Sequence, residues 1–249
     1  PALAEELVRR PVAVLASVGG YQTPRAAQAA TSTIPIVFGI GEDPVNRGLV
    51  PNLNRPGGNT TGATFSTALL GAKRLGLLRQ LVPQAEVIGL LVNQNTTQGQ
   101  GQARDVQEAA QKLGLQLVVL NGGSDEDIDT AFASLARLKV GALLVGADPS
   151  FDPKRNRLIA MVAQHAVPAI YQFRDYALAG GLMSYGASIA ELYQQVGIYV
   201  GRVLHGDKPG DMPVMLPAKF EMVINLKTAG VLRLTIPPAL LATADEVIE

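Results

Sequence analysis

There is no cysteine and no tryptophan among these 249 residues, and aromatic residues make up only 5% of them. Without cysteine there is no disulfide, no thiolate nucleophile and no cysteine-ligated metal. The compartment stays open, because many exported bacterial proteins also lack cysteine. An excess of charge of either sign is missing too, with 21 Lys+Arg against 21 Asp+Glu. No basic surplus points to nucleic acid, and the scarce aromatics count against a base-stacking surface. No apolar run approaches the roughly 20 residues of a membrane-spanning helix. The two histidines, His165 and His205, have no neighbouring ligand at metal spacing. Each falls near the end of a predicted helix, where a cation is favoured, so both read as structural. Gly57-Gly58 with Gly62 lacks the Lys-Ser/Thr that completes a phosphate loop, and Gly19-Gly20 lacks GxGxxG. No metal and no cofactor are expected.

What is present is 47% hydrophobic residues, enough to bury one large core or two medium ones. The stretch from Ile34 to Phe65 organises the rest. Ile34-Pro35-Ile36-Val37-Phe38 is an unbroken apolar run that reads as a strand buried on both faces. It breaks at Gly39-Ile40-Gly41 and offers Glu42-Asp43-Pro44, and the carboxyl ends of parallel strands are where open α/β sheets hold ligands. A short helical pattern leads to Arg55-Pro56-Gly57-Gly58-Asn59-Thr60-Thr61-Gly62, which has no apolar side chain to anchor it and reads as a flexible crossover. Strand, ligand loop and crossover in series point to two lobes with a cleft between them.

In chain order, an amphipathic helix over 2–10 carries Leu3, Leu7 and Val8 on one face. The sequence opens directly inside it, so an upstream strand and any export signal are expected to be missing. A strand over Val12–Ala16 follows, then a helix over 24–32 with Thr23 as N-cap and Pro24 at its first position. With the strand at 34–38 this makes a βαβ unit with parallel strands. Beyond the crossover, helical spacing over Leu69–Leu81 ends at Pro83. Strands are predicted at 87–92, 115–120, 142–145 and 169–171, and helices at 99–113, 124–138 and 153–165, a second doubly wound sheet. Gly180–Gly186 reads as a second crossover, Ser188 as the N-cap of a long helix to Leu204, and Gly206–Gly210 as a third break. A strand over 220–224, a helix over 226–232 and a short helix in the tail complete the chain. The lobe assignment is 1–61 with 185–205, and 62–184 with 206–249.

Six motifs together carry a family resemblance: VFGIGEDPVNRGLV (37–50), RPGGNTTG (55–62), GALLVGADPSF (141–151), GGLMSYGAS (180–188), FEMVINLKTAGVL (220–232) and TIPPALLATADEVIE (235–249). In this order and spacing the chain resembles the ABC-transporter substrate-binding proteins of the tryptophan/tyrosine-binding-like group. The resemblance implies a type I periplasmic-binding-protein fold: two α/β lobes, three crossovers and a small molecule in the cleft. It implies an exported, periplasmic or extracytoplasmic protein that hands its ligand to a membrane permease. It also implies that the family's first strand and first ligand loop precede the helix that opens this sequence.

A binding protein needs donors and acceptors fixed at strand ends and an aromatic ring over the apolar part of its ligand. In lobe one the candidates are Ser17 and Gly19, past a strand end where backbone N–H groups can hold a carboxylate, and Asp43, which can accept from an ammonium. Turn chemistry, and capping of a helix after Pro44, explain the same residues without a ligand. In lobe two they are Asn93 and Asn95 after a buried strand, Asp148 in an Asp-Pro pair that mirrors Asp43-Pro44, Tyr171 at a strand end, and Tyr185 with Gly186 in the second crossover. Turn formation explains the asparagines equally, and a tyrosine at a strand end can also be core. Arg55 and Arg174 can meet a ligand carboxylate, but surface ion pairs are the commoner fate of such arginines. Amides, two acids and two tyrosines fit an amine with a hydrophobic side chain, so an amino acid or related carboxylate is expected. The chain is expected to be monomeric, to close by hinge bending and to contact no nucleic acid. Two alternatives share the fold: an enzyme using Asp43 and Asp148 as an acid/base pair, which lacks any nucleophile, metal or cofactor motif here, and the ligand-sensing domain of a regulator or receptor.

Overall fold

The computed structural model describes residues 2–65, 70–217 and 219–249. The chain divides into two compact units, Pro1–Ser66 with Ser188–Lys219, and Thr67–Ala187 with Phe220–Glu249. Each is an α/β unit around its own sheet.

The first unit contains α1 (Ala2–Val8), β1 (Leu15–Val18), α2 (Gln22–Ala30), β2 (Ile36–Ile40), β3 (Thr60–Thr64) and α8 (Ile189–Leu204). Its three strands are parallel in the order β1-β2-β3, with Leu15 beside Ile36 and Ile36 beside Thr60. Every residue of β2 and β3 is buried. β3 corrects the expectation of a flexible crossover at 55–62. Threonine is β-branched and suits a strand, and each hydroxyl here has a partner that removes the cost of burial. Thr61 Oγ1 donates to the Met212 carbonyl at 2.7 Å, Thr64 Oγ1 donates to the Glu42 carbonyl at 2.8 Å, and Thr60 Oγ1 accepts from Gln28 Nε2 at 3.1 Å. Gly62 belongs to the same design, because a Cβ there would lie 2.1 Å from the Phe38 carbonyl oxygen.

α8 lies over one face of this sheet, where Leu192, Val196, Tyr199 and Val203 meet Val37 and Ala63. Burying each such side chain is worth about 1.5–3 kcal/mol. Ser188 caps α8 as the sequence indicates, its Oγ accepting from the Glu191 N–H at 3.3 Å. Residues 206–219, expected with the second lobe, belong to the first unit. Met212 joins the α8 core, Val214 joins Phe38 and Ile40 on the other face, and Tyr199 Oη donates to the Pro213 carbonyl at 2.6 Å. α2 starts at Gln22, with Tyr21 rather than Thr23 at its N-cap; Thr23 Oγ1 donates to the Gly20 carbonyl at 2.9 Å instead.

The second unit holds β4 (Val87–Val92), β5 (Gln116–Asn121), β6 (Ala142–Val145), β7 (Ala169–Tyr171), β8 (Met183–Ala187), β9 (Phe220–Asn225) and β10 (Glu246–Ile248). Its helices are α3 (Gly71–Leu81), α4 (Thr97–Lys112), α5 (Asp125–Ser134), α6 (Arg155–Gln164), α7 (Arg174–Leu178), α9 (Leu226–Val231) and α10 (Pro238–Thr243). Leu69, the expected start of α3, lies outside the described residues. The strand order is β10-β9-β8-β7-β6-β4-β5. All neighbours are parallel except β8 and β9, which run antiparallel. The sheet is thus mixed at one side, which the doubly wound reading did not anticipate. The chain returns along β9 after a passage through the first unit, not by a right-handed helical crossover. Its largest core cluster joins Leu75, Leu78, Ile88, Leu90, Leu144, Ile170 and Ile224. Gly180-Gly181 does not mark a passage between the units. Gly180 follows α7 with φ +107°, a left-handed conformation suited to glycine. The chain passes from one unit to the other at 66/67, 187/188 and 219/220.

Candidate functional site

At the carboxyl ends of the first unit's strands, Ser17 is a buried residue of β1 paired with Phe38. Gly19 opens the turn into α2 with φ +110°, its N–H donating to the Gly39 carbonyl at 3.1 Å. Such a backbone is strained for any residue with a Cβ. Asp43 is occupied locally. Its Oδ1 accepts from the Val45 and Asn46 N–H groups at 2.8 and 3.1 Å, and its Oδ2 from Asn46 Nδ2 at 2.8 Å. The capping explanation is therefore seen in the structure, although 44–49 forms turns rather than the expected helix.

The adjacent acid was not singled out from the sequence. Glu42 is 3% exposed, and its Oε1 accepts from the Tyr21 N–H at 3.4 Å. Burial raises its carboxyl above the usual range. The N–H groups of Tyr21 and Glu42, the Arg47 charge and the Gly41 N–H oppose this. In the GED triplet either acid could turn inward, and no periodicity in so short a loop distinguishes them.

In the second unit the sequence neighbours β4 and β5 are joined on one side of β4, and β6 lies on its other side. The chain order reverses there, so the loops after β4 and β6 flank a topological switch point, the place where open α/β sheets hold ligands. Asn93 and Asp148 are in those two loops, both buried. Asn93 Oδ1 accepts from the Asn95 N–H at 3.1 Å in a tight turn, and Thr96 Oγ1 caps α4 through the Gly99 N–H at 3.0 Å. Asn95 is exposed, and a Cβ at Gly123 would lie 2.3 Å from its Nδ2 and 2.9 Å from Asn93 Oδ1. The loops after β4 and β5 therefore touch. Asp148 Oδ1 accepts from the Ser150 N–H at 2.9 Å and from Ser150 Oγ at 2.6 Å, at the start of a 3-10 turn (Pro149–Phe151).

Two glutamines that sequence reasoning passed over fix the Asp148 loop. Gln102 donates from Nε2 to the Ala147 carbonyl at 2.7 Å and accepts the Ala147 N–H at 2.8 Å, and Gln98 Nε2 donates to the same carbonyl at 2.9 Å. Both are buried on α4. Their signal was available: glutamines four apart share a helix face, and polar residues at core positions need partners.

Tyr171 is not at an open strand end. It is fully buried, stacked on Tyr176 with ring centroids 4.9 Å apart, and burial pushes its phenol well above the ordinary value. Its ring lines a small apolar pocket together with Ile159, Val162 and Leu182. Tyr185 is half-buried in β8, its ring 6.2 Å from that of Phe220. Gly186 has a backbone duty, because a Cβ there would lie 1.9 Å from the Gln172 carbonyl oxygen. Arg174 pairs with Glu246 at 2.6 Å and Glu221 at 3.8 Å. The His165 ring packs beside Phe132, and His205 Nδ1 lies 2.8 Å from the Gly201 carbonyl oxygen. Among the described residues no group of His, Asp and Glu could hold a metal ion.

Asp152 follows the Asp148 turn, and burial pushes its carboxyl up to about 6. It accepts from Tyr176 Oη at 3.2 Å, and Tyr176 Oη accepts from Gln172 Nε2 at 3.4 Å. The chain of bonds ties the loop after β6 to the loop after β7.

Set beside known proteins, residues 2–248 match the family model described as ABC transporter substrate binding protein. The tyrosine-binding protein of Clostridioides difficile (strain R20291) is 29% identical over 82% of this chain, which spans 58% of that relative's length. An ABC domain from Streptococcus pneumoniae, solved in complex with L-Trp, has a TM-score of 0.85 at 25% identity, covering 99% of this chain and 84% of the other. A conserved domain protein from Vibrio cholerae also superposes at 0.85, with 27% identity and coverage of 99% and 83%.

Proposed function

The chain belongs to the ABC transporter substrate-binding protein family, and from that premise we propose that it is the extracytoplasmic binding component of an importer, taking an aromatic amino acid or a related carboxylate. The observation that carries this reading is the family match over 2–248, on a chain whose two units each present polar groups at the carboxyl ends of parallel strands. A relative named for tyrosine and a similar structure holding L-Trp support the aromatic amino acid. In this proposal the ligand is held between the two units. Ser17 and Gly19 serve it from the first, and Asn93, Asn95, Asp148 and Tyr185 from the second. Ligand binding shifts the protein toward a closed form that a permease recognises. The protein acts as a monomer and does not turn its ligand over.

The test is a thermal-unfolding screen of the standard L-amino acids, followed by calorimetric titration. L-tryptophan or L-tyrosine is expected to raise the unfolding temperature, and a ligand at 100 times its Kd adds about 2.7 kcal/mol. If no amino acid does so, the ligand assignment falls. Mass spectrometry of whatever co-purifies then names the class.

A further inference from the structure

At the end of β2 the structure holds a carboxylate with one oxygen unused. Glu42 is 3% exposed, and its Oε2 is buried with no hydrogen-bond partner among the described residues. A buried acid left half-satisfied is costly unless something else meets it. Asp43 cannot share the load, since both its oxygens are engaged within its own turn. Nor, among the described residues, does a cation form an ion pair with it: Arg47, the charged group that acts on Glu42, has its guanidinium carbon 4.9 Å from the centre of the Tyr21 ring.

The surroundings hold Glu42 in position. Thr64 Oγ1, at the end of β3, donates to its carbonyl at 2.8 Å. The Tyr21 N–H, in the turn after β1, reaches Oε1. All three strand ends of the first sheet thus meet at this residue. Gly20 is also close by: a Cβ there would stand 3.9 Å from Oε1 and 2.7 Å from Gln22 Oε1.

We propose that Glu42 receives the ammonium group of the amino-acid ligand, with Oε2 as the acceptor. The inference rests on the reading of this protein as an amino-acid binder and adds the residue that selects the amine. A charged hydrogen bond of this kind is shorter and roughly twice as strong as a neutral one. A site built around such a bond discriminates strongly against an analogue that lacks the group, because the acid is then left buried and unpaired.

The experiment is calorimetric titration of the wild-type protein, Glu42→Gln and Glu42→Asp with two matched pairs: L-tryptophan and 3-(indol-3-yl)propanoate, and L-tyrosine and 3-(4-hydroxyphenyl)propanoate. The wild type is expected to prefer the amino acid of a pair by on the order of 100-fold over its desamino analogue. Glu42→Gln is expected to lose most of that preference by weakening the amino acid alone, and Glu42→Asp to keep part of it. Equal affinity of wild type and Glu42→Gln for the amino acid overturns the assignment, as does an equal loss for both members of a pair. A wild type that does not distinguish the members overturns it whatever the variants do, including a Glu42→Gln protein that fails to fold. If the wild type binds neither L-tryptophan nor L-tyrosine, the aromatic amino-acid reading itself has failed, and the role of Glu42 falls with it.

Discussion

Gly186 and Asp43 show how a residue's surroundings decide its work. Both were singled out as ligand contacts, and both have a structural task within 3 Å. Gly186→Ala places a methyl group 1.9 Å from the Gln172 carbonyl oxygen. β8 and the segment just after β7 must separate, so a loss of about 2 kcal/mol or more is expected in urea unfolding. Asp43→Ala removes the acceptor for two turn N–H groups. About 1 kcal/mol of stability should go with it, while affinity for L-tryptophan stays within a few-fold of the wild type. A much larger loss of affinity would show that Asp43 meets the ligand directly. The residue scale is also where the sequence was least legible. Glu42 and Asp43 are chemically near-equivalent neighbours, and only the path of the turn sends one inward and uses up the other.

At the scale of elements, the loop after β6 is clamped from two sides. α4 holds it through Gln98 and Gln102, and α7 holds it through Tyr176 and Asp152. Gln102→Ala leaves the buried Ala147 N–H without its acceptor. A loss of about 2 kcal/mol is expected by denaturant unfolding, with weaker ligand binding if Asp148 is a contact. Asp152 makes the second clamp sensitive to pH. Its carboxyl is raised from 3.8 to about 6, so the folded state holds its proton more tightly than the unfolded chain. Its contribution to stability is full below pH 3.8 and is lost as pH rises through 6. For a partly exposed group this amounts to about 1 kcal/mol after screening. The difference in unfolding free energy between wild type and Asp152→Asn, measured from pH 3.5 to 7, should change in that window and be flat above it. β3, β8 and β10 are the strands that sequence reasoning lost. Thr-Thr-Gly-Ala-Thr carries no large apolar side chain, and its burial depends on hydroxyl partners as distant in sequence as Met212. The strands that were legible centre on short apolar runs rich in β-branched residues and leucine, and such runs are stable only when both faces are covered. Met-Ser-Tyr-Gly-Ala of β8 and Glu-Val-Ile of β10 carry no such run.

For the whole molecule, the proposed function predicts that adding L-tryptophan or L-tyrosine reduces the radius of gyration measured by small-angle X-ray scattering. An unchanged profile at saturating ligand would separate binding from closure. Alternating strands and helices, the acid-proline turns and the six family motifs determined a great deal without coordinates: α/β architecture, membership of a binding-protein family and the strand-end loops that carry polar groups. These follow from periodicity and turn chemistry, which act between residues close in the chain. Three things were decided only by tertiary structure. Residues 206–219 joined the first unit, β9 entered the second sheet antiparallel to β8, and Glu42 rather than Asp43 kept an unused oxygen. Each depends on contacts between segments far apart in sequence, such as Thr61 with Met212 or Tyr21 with Glu42. Burial and hydrogen-bond satisfaction there are properties of the assembled chain, and no local pattern encodes them.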